Sequence, residues 1–225
     1  MKIGVLNTGH PPDNVAHDGA YDRYFARLLD GHGFDVTGWN VVDGVFPDSV
    51  QAADGWLLTG SKHGAYEDHP WIPPLEDFIR DAYSAKVPMI GVCFGHQIIA
   101  QALGGKVEKF EGGWSVGLTE YQMDGRSYAI NAWHQDQVVE RPAEAEVFAS
   151  TDFCENAGLV YGDRIWTIQP HPEYGADFLE NLINTRGPGV VPDALLQDAR
   201  AKLNNPDDRM QVAEIMASFF KKERA

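Results

Sequence analysis

The sequence predicts an α/β fold: a mostly parallel central sheet flanked by helices on both faces, with antiparallel strands appended. Three observations lead there. Short runs alternate with amphipathic stretches through the first half of the chain. Several of those runs are apolar throughout, as strands covered on both faces are. From Trp114 onward the text changes to alternating runs broken by Gly, Asp, Asn and Pro, the pattern of antiparallel hairpins.

The elements follow in order. "KIGVLNT" (2–8) reads as a buried strand, and "YDRYFARLLDGHG" (21–33) as a helix closed by glycine. "FDVTGWNV" (34–41) and "GWLLTG" (55–60) are strands, and "WIPPLEDFIRDAYSA" (71–85) becomes helical beyond its prolines. "PMIGVC" (88–93) is a further strand, followed by the helical "HQIIAQALGG" (96–105). "WSVGLTEYQM", "SYAINAWHQDQVV", "EVFASTD" and "GLVYGDRIWTIQPHPEY" are expected to supply antiparallel strands and hairpins. Helices return at 175–186 and in a tail over about 187–225. There Asn205 is the expected N-cap and Pro206 the first helical residue of a helix over 205–222. Its Met210, Val212, Ile215, Met216, Phe219 and Phe220 form an apolar side, suited to covering the sheet or to a homo-oligomer contact.

With no repeat, low-complexity tract or linker, residues 1–225 read as a single domain, large enough for a core without disulfides or metals. The net charge of −15 argues against nucleic acid and anionic membrane surfaces as partners. The chain opens directly on a strand, without the charged and apolar regions of a secretory signal, and no run reaches the roughly 18 apolar residues of a membrane span. Cys93 and Cys154 are therefore expected as free thiols in a reducing cytoplasm.

Cys93 stands out. In "GVCFG" (91–95) a strand ends at the thiol and a helix begins within a few residues. The flanking glycines remove β-carbons that would crowd a sharp strand-to-helix turn, the logic of a nucleophile elbow with cysteine in the serine position. A thiol of pKa about 8.5 is only a few per cent ionised at neutral pH. Lowering that value by about two units takes about 2.7 kcal/mol, whereas a helix N-terminus supplies about 0.3–1 kcal/mol, so a basic partner is required. The plainer reading of the pentapeptide alone is a small buried residue.

"TIQPHPEY" (167–174) offers the partner: Pro172 biases His171 toward an extended conformation, and alternation would put His171 and Glu173 on one side. Imidazole suits proton exchange near neutrality, and a carboxylate on its other nitrogen would fix its tautomer. A surface turn ending a strand is the alternative for that segment taken alone.

"GVCFGHQIIAQALGG" together with "QPHPEY" resembles the class I (Cys-His-Glu triad) glutamine amidotransferase superfamily over roughly residues 40–185. The resemblance implies a flavodoxin-like sheet, with Cys93 as nucleophile, His171 as general base and then acid, and Glu173 as the orienting carboxylate. It also implies a γ-glutamyl thioester, an oxyanion hole from the N–H groups of Gly60 and Phe94, and a substrate-holding role for Gln97. The run "WHQD" (133–136) corresponds to a family loop in which the N–H groups of Gln135 and Asp136 receive the α-carboxylate; Trp133 and His134 equally suit core packing.

The loop "TGSKHGAYEDHPWI" (59–72) departs from the Ser-Gly-Gly-Pro of guanylate-synthesis domains, and the wording is closer to stand-alone γ-glutamyl peptidases. The favoured expectation is accordingly a hydrolase of small γ-glutamyl substrates. A glutaminase subunit feeding ammonia to a separate synthetase is the second reading, and a catalytically silent binding module the third. No cofactor is expected, since no G-x-x-x-x-G-K-[ST] phosphate loop is present. No structural metal is expected either, because histidines 10, 17, 32, 63 and 69 lie in turn-rich text without ligand pairing. His63, Tyr66 and Glu67 would shape the leaving-group side or form a solvated loop. Cys154, without an elbow, is expected to be structural or exposed.

Overall fold

The computed structural model describes residues 1–12 and 19–224; His17 lies outside the described residues. The elements run β1 (Lys2–Leu6), α1 (Tyr21–Leu28), β2 (Asp35–Trp39), β3 (Gly55–Leu58), α2 (Ile72–Ser84), β4 (Met89–Val92) and α3 (Phe94–Ala102). Then follow β5 (Lys106–Lys109), β6 (Ser115–Met123), β7 (Arg126–His134), β8 (Asp136–Glu140), β9 (Glu146–Ser150), β10 (Gly158–Tyr161) and β11 (Ile165–Ile168). Three helices close the order: α4 (Ala176–Thr185), α5 (Asp193–Ala201) and α6 (Arg209–Lys221). No helix among the described residues is long and apolar enough to cross a membrane.

Nine strands form one sheet in the order β2-β1-β3-β4-β11-β10-β9-β6-β7. The first five are mutually parallel and the rest antiparallel. The expected α/β class stands, with one correction to its layout. The sequence pattern puts β11 among the appended hairpins, yet it pairs parallel with β4, Ile168 opposite Val92. It reaches that place by making an antiparallel hairpin with β10. A four-residue strand that is buried throughout carries no mark of which neighbour it will face.

Both faces of the parallel region are covered, as strand alternation requires. Trp56, Leu58, Met89 and Ile165 pack with α2 and α3 on one side. Ile3, Leu57, Ile90, Val92 and Ile168 pack with α1 and α6 on the other. α6 is thus a cover for the sheet, with Val212, Met216 and Phe220 buried and Met210 exposed. It begins at Arg209 after Asp208, so Asn205 and Pro206 precede the helix rather than start it. Conversely, Pro73 and Pro74 fall inside the first turn of α2, where a missing N–H costs nothing.

The segment 127–139, read as one run, breaks at Gln135. β7 stays in the large sheet, while β8 leaves to pair with β5 in a separate two-stranded sheet. The Asp124-Gly125 turn between β6 and β7 has positive φ at both residues, 47° and 79°, as tight hairpins favour.

Candidate active site

Three neighbouring parallel strands, β3, β4 and β11, end at the same edge of the sheet. Their extensions carry Gly60, Cys93 and His171. Parallel pairing is what brings residues so distant in sequence to one place, at the strand carboxyl ends where open α/β sheets hold ligands.

Cys93 occupies a strained corner with φ 53° and ψ −105° and is the N-cap of α3. The glycines around it are sterically required. A β-carbon on Gly91 would lie 2.6 Å from the Gly95 carbonyl, and one on Gly95 would lie 2.3 Å from the Leu58 carbonyl oxygen. α3 starts at Phe94, two residues earlier than its sequence pattern suggests, so no loop separates thiol from helix. Cys93 is 6% exposed and free.

The 171–174 segment is a turn, not the extended stretch expected, with the Tyr174 N–H donating to the His171 carbonyl at 3.3 Å. Asn131 on β7 clamps it. Its carbonyl accepts from the His171 N–H at 2.8 Å, and its Nδ2 donates to the Tyr174 carbonyl at 2.8 Å. Within the turn His171 Nδ1 lies 2.7 Å from Glu173 Oε1, both side chains buried. The charge of Cys93 acts on the imidazole, and with Nδ1 taken by Glu173 its Nε2 is the nitrogen left to face the thiol. Tyr174 stacks flat on the imidazole, centroids 3.9 Å apart and planes within 6°. Burial pushes the His171 pKa down, but the charges of Glu173 and Cys93 and the hydrogen bond to Glu173 outweigh it, raising the value to about 10.

Gly60 faces this pair: a β-carbon there would be 2.8 Å from His171 Cε1 and 3.7 Å from Cys93 Cβ. The Thr8 hydroxyl, 3.0 Å from the Gly60 carbonyl oxygen, ties down the Gly60 peptide. Neither the Gly60 nor the Phe94 N–H has an acceptor among the described residues. Gln97 Nε2 donates to the Asp136 carbonyl at 2.9 Å and to Gln169 Oε1 at 3.0 Å. The 133–136 run is the corner between β7 and β8. Gln135 Nε2 donates to the Phe110 carbonyl at 3.3 Å, and the Asp136 carboxylate and the Tyr66 ring lie together against Gly64. His134 is buried, its pKa lowered to about 3 by that burial, so it is a neutral packing residue.

A cavity of about 560 Å³ opens on Cys93 and His171 and is also lined by Gln97, Gln135, Asp136 and Trp133. The structure thus gathers Cys93, His171, Glu173, Gly60, Phe94, Gln97, Gln135 and Asp136 around one cleft. It adds residues to which sequence reasoning gave no part. Tyr21, from the start of α1, packs in one buried cluster with Tyr174 and Phe178 and lines the cavity. Thr8 and Asn131 hold backbone. Only Tyr174 carried a signal, being inside the quoted motif. Cys154 is buried, and burial pushes its thiol up to about 12.

One expectation about histidine pairing is corrected. His63 and His69 converge on a single carboxylate oxygen, Glu67 Oε2, at 3.2 and 2.7 Å. The loop folds back on itself, which spacing in turn-rich text does not disclose.

The model of the glutamine amidotransferase class-I family matches residues 48–180. Gamma-glutamyl peptidase 4 of Arabidopsis thaliana is 30% identical, over 91% of this chain and 89% of its own. The A subunit of a glutamine-hydrolysing GMP synthase from Methanocaldococcus jannaschii is 32% identical, over 62% of this chain and 78% of its own. A glutamine amidotransferase structure from Methylobacillus flagellatus superposes with a TM-score of 0.74, covering 98% of this chain and 91% of that one. At 23% identity that likeness speaks for the fold alone.

Proposed function

The chain belongs to the class I glutamine amidotransferase family, and from that premise we propose that it hydrolyses a γ-glutamyl amide bond through a thioester on Cys93. We take residues 1–225 as one catalytic domain. The observation that carries the reading is the meeting of a strained, glycine-flanked Cys93 with an imidazole whose other nitrogen is 2.7 Å from a buried carboxylate.

The chemistry follows from the positions. The Cys93 sulfur attacks the γ-carbonyl carbon while His171 Nε2 holds the thiol proton. The developing oxyanion takes the N–H groups of Gly60 and Phe94, each such donor being worth about 2.7–4 kcal/mol in the transition state. His171 then protonates the leaving nitrogen, and the carbon–nitrogen bond breaks. Water enters and gives a proton to the imidazole as its oxygen attacks the thioester. The carbon–sulfur bond breaks, glutamate leaves, and the proton returns to sulfur. Glu173 keeps Nδ1–H pointed and supports the imidazolium in both halves.

At the glutamyl end, Gln97 spends both Nε2 hydrogens on Asp136 and Gln169, so its Oε1 is the atom left to accept from the α-ammonium. The Gln135 and Asp136 N–H groups at the β7–β8 corner receive the α-carboxylate. Resemblance to a γ-glutamyl peptidase over nine-tenths of the chain favours an amine or peptide leaving group.

A second reading, a glutaminase subunit serving a separate synthetase, is favoured by the likeness to a GMP synthase A subunit. Glutamate release by the isolated chain from glutamine, γ-glutamyl peptides and γ-glutamyl amines decides between them, with Cys93→Ala as background. Brisk cleavage of peptide or amine conjugates supports the first. Glutaminase activity that rises steeply only with an added synthetase supports the second. Rates no higher than the Cys93→Ala background, with no Cys93 adduct from a glutamine-analogue electrophile, would leave a silent binding module.

A further inference from the structure

We propose that His63, Glu67 and His69 form a binding site for a divalent transition metal of the zinc class at the mouth of the cleft. Their ligand atoms all lie within 4.8 Å of one another. Two imidazole nitrogens and one carboxylate oxygen are a borderline-soft donor set, suited to zinc, cobalt or nickel rather than to magnesium or calcium. Ligands about 2.0–2.2 Å from a tetrahedral zinc lie roughly 3.3–3.6 Å from each other. His63 Nδ1 at 3.2 Å and His69 Nε2 at 2.7 Å from Glu67 Oε2 are near that spacing already.

The site is held from below. The His69 ring lies nearly parallel to the buried Trp71, planes within 14°, and Trp71 packs on Phe94, the residue after Cys93. Backbone bonds from Glu67 N–H to the Gly64 carbonyl and from His69 N–H to the Glu67 carbonyl, both 3.1 Å, shape the loop. The three side chains are partly exposed, at 21%, 42% and 31%, so an ion can reach them. Three protein ligands leave a fourth position for water or a bound molecule, the pattern of open zinc sites. His63 and Glu67 also line the cavity that holds Cys93. The proposal does not depend on the hydrolytic reading, because it concerns other residues and is read out by binding.

Cobalt spectroscopy and zinc competition test it, using tag-free full-length chain carrying Cys93→Ser so that no active-site thiolate can bind metal. The expected result is one equivalent of Co2+ giving the intense visible bands of a low-coordinate centre, without sulfur charge transfer, displaced by Zn2+. His63→Ala and His69→Ala, each shown to be folded by circular dichroism and thermal midpoint, should weaken Zn2+ binding by more than about tenfold, the loss of a ligand exceeding that of an outer-shell partner. Glu67→Gln should do the same while keeping the side-chain shape. Binding unchanged by these substitutions, a sulfur-ligated spectrum, or only the pale spectrum of six-coordinate cobalt would overturn the assignment.

Discussion

Cys93 holds a positive φ that a residue with a β-carbon adopts only when its surroundings over-determine it, and the two glycines make room for that corner here. Cys154 is the contrast within the same chain: buried, with its thiol pKa raised by that burial, and turned into a loop by Thr151. A γ-glutamyl electrophile is therefore expected to label Cys93 alone. Cys93→Ala should abolish turnover, while Cys154→Ser should leave kcat/KM within about twofold, since Cys154 is not part of the cavity lining. Peptide mass spectra that place the adduct on Cys154 would contradict the assignment. His171 yields a pH prediction. Against burial, Glu173 and Cys93 lift its pKa to about 10, so the imidazolium proposed to protonate the leaving group persists far into alkali. The alkaline limb of kcat/KM should fall near pH 10 in the wild type and move to lower pH in Glu173→Gln. Stability follows the same sign: with an unfolded pKa of about 6.5, the contribution is complete below that value and is lost as pH rises toward the native one. Denaturant midpoints should show the Glu173→Gln deficit shrinking between pH 6 and pH 10. A constant deficit would mean that the carboxylate does not support the imidazolium.

At the scale of elements, the cleft exists because β3, β4 and β11 run parallel and stop together. Gly60 shows how little room that leaves. Gly60→Ala would put a methyl group 2.8 Å from His171 Cε1 and turn the imidazole from the sulfur. We expect kcat/KM to drop by about 10²–10³, comparable to losing an oxyanion donor, with the thermal midpoint moved far less than activity. Near-wild-type turnover would mean that Gly60 is a loop residue and no more. The Cys93 elbow was legible in the sequence because its cause is local, two glycines and a turn. His171 and Glu173 were legible because a short motif holds both. Thr8, Tyr21 and Asn131 were not, since each acts on a segment more than 40 residues away, and nothing in their own neighbourhoods marks that partner. The parallel setting of β11 and the departure of β8 to a second sheet were hidden for the same reason. Strand pairing over long separations is decided by which buried faces fit, and a four-residue apolar strand fits several.

At the scale of the molecule, the sheet has two covered faces and the proposed chemistry sits at its edge, so stability and activity should be separable. α6 supplies part of one cover. Phe220 is 2% exposed, meets Phe34 edge-on at 5.9 Å, and lies so close over β3 that a β-carbon on Gly55 would be 3.0 Å from its ring. Phe220→Ala should cost about 3–5 kcal/mol, because the strand and helix backbones around the ring cannot close the space it leaves. For a chain of 225 residues that corresponds to a fall of roughly 6–20 °C in the midpoint of thermal unfolding. At 25 °C the folded fraction should keep its kcat and KM for the best γ-glutamyl substrate, since the ring belongs to the packed layer that includes Ile3 and Val92 and is not part of the cavity lining. Calorimetry and steady-state rates on the same preparation distinguish the outcomes. A lowered midpoint with unchanged KM fits a helix that only covers the sheet. A large change in KM at unchanged midpoint would instead mean that α6 shapes the cleft, and the separation of cover from site would have to be abandoned.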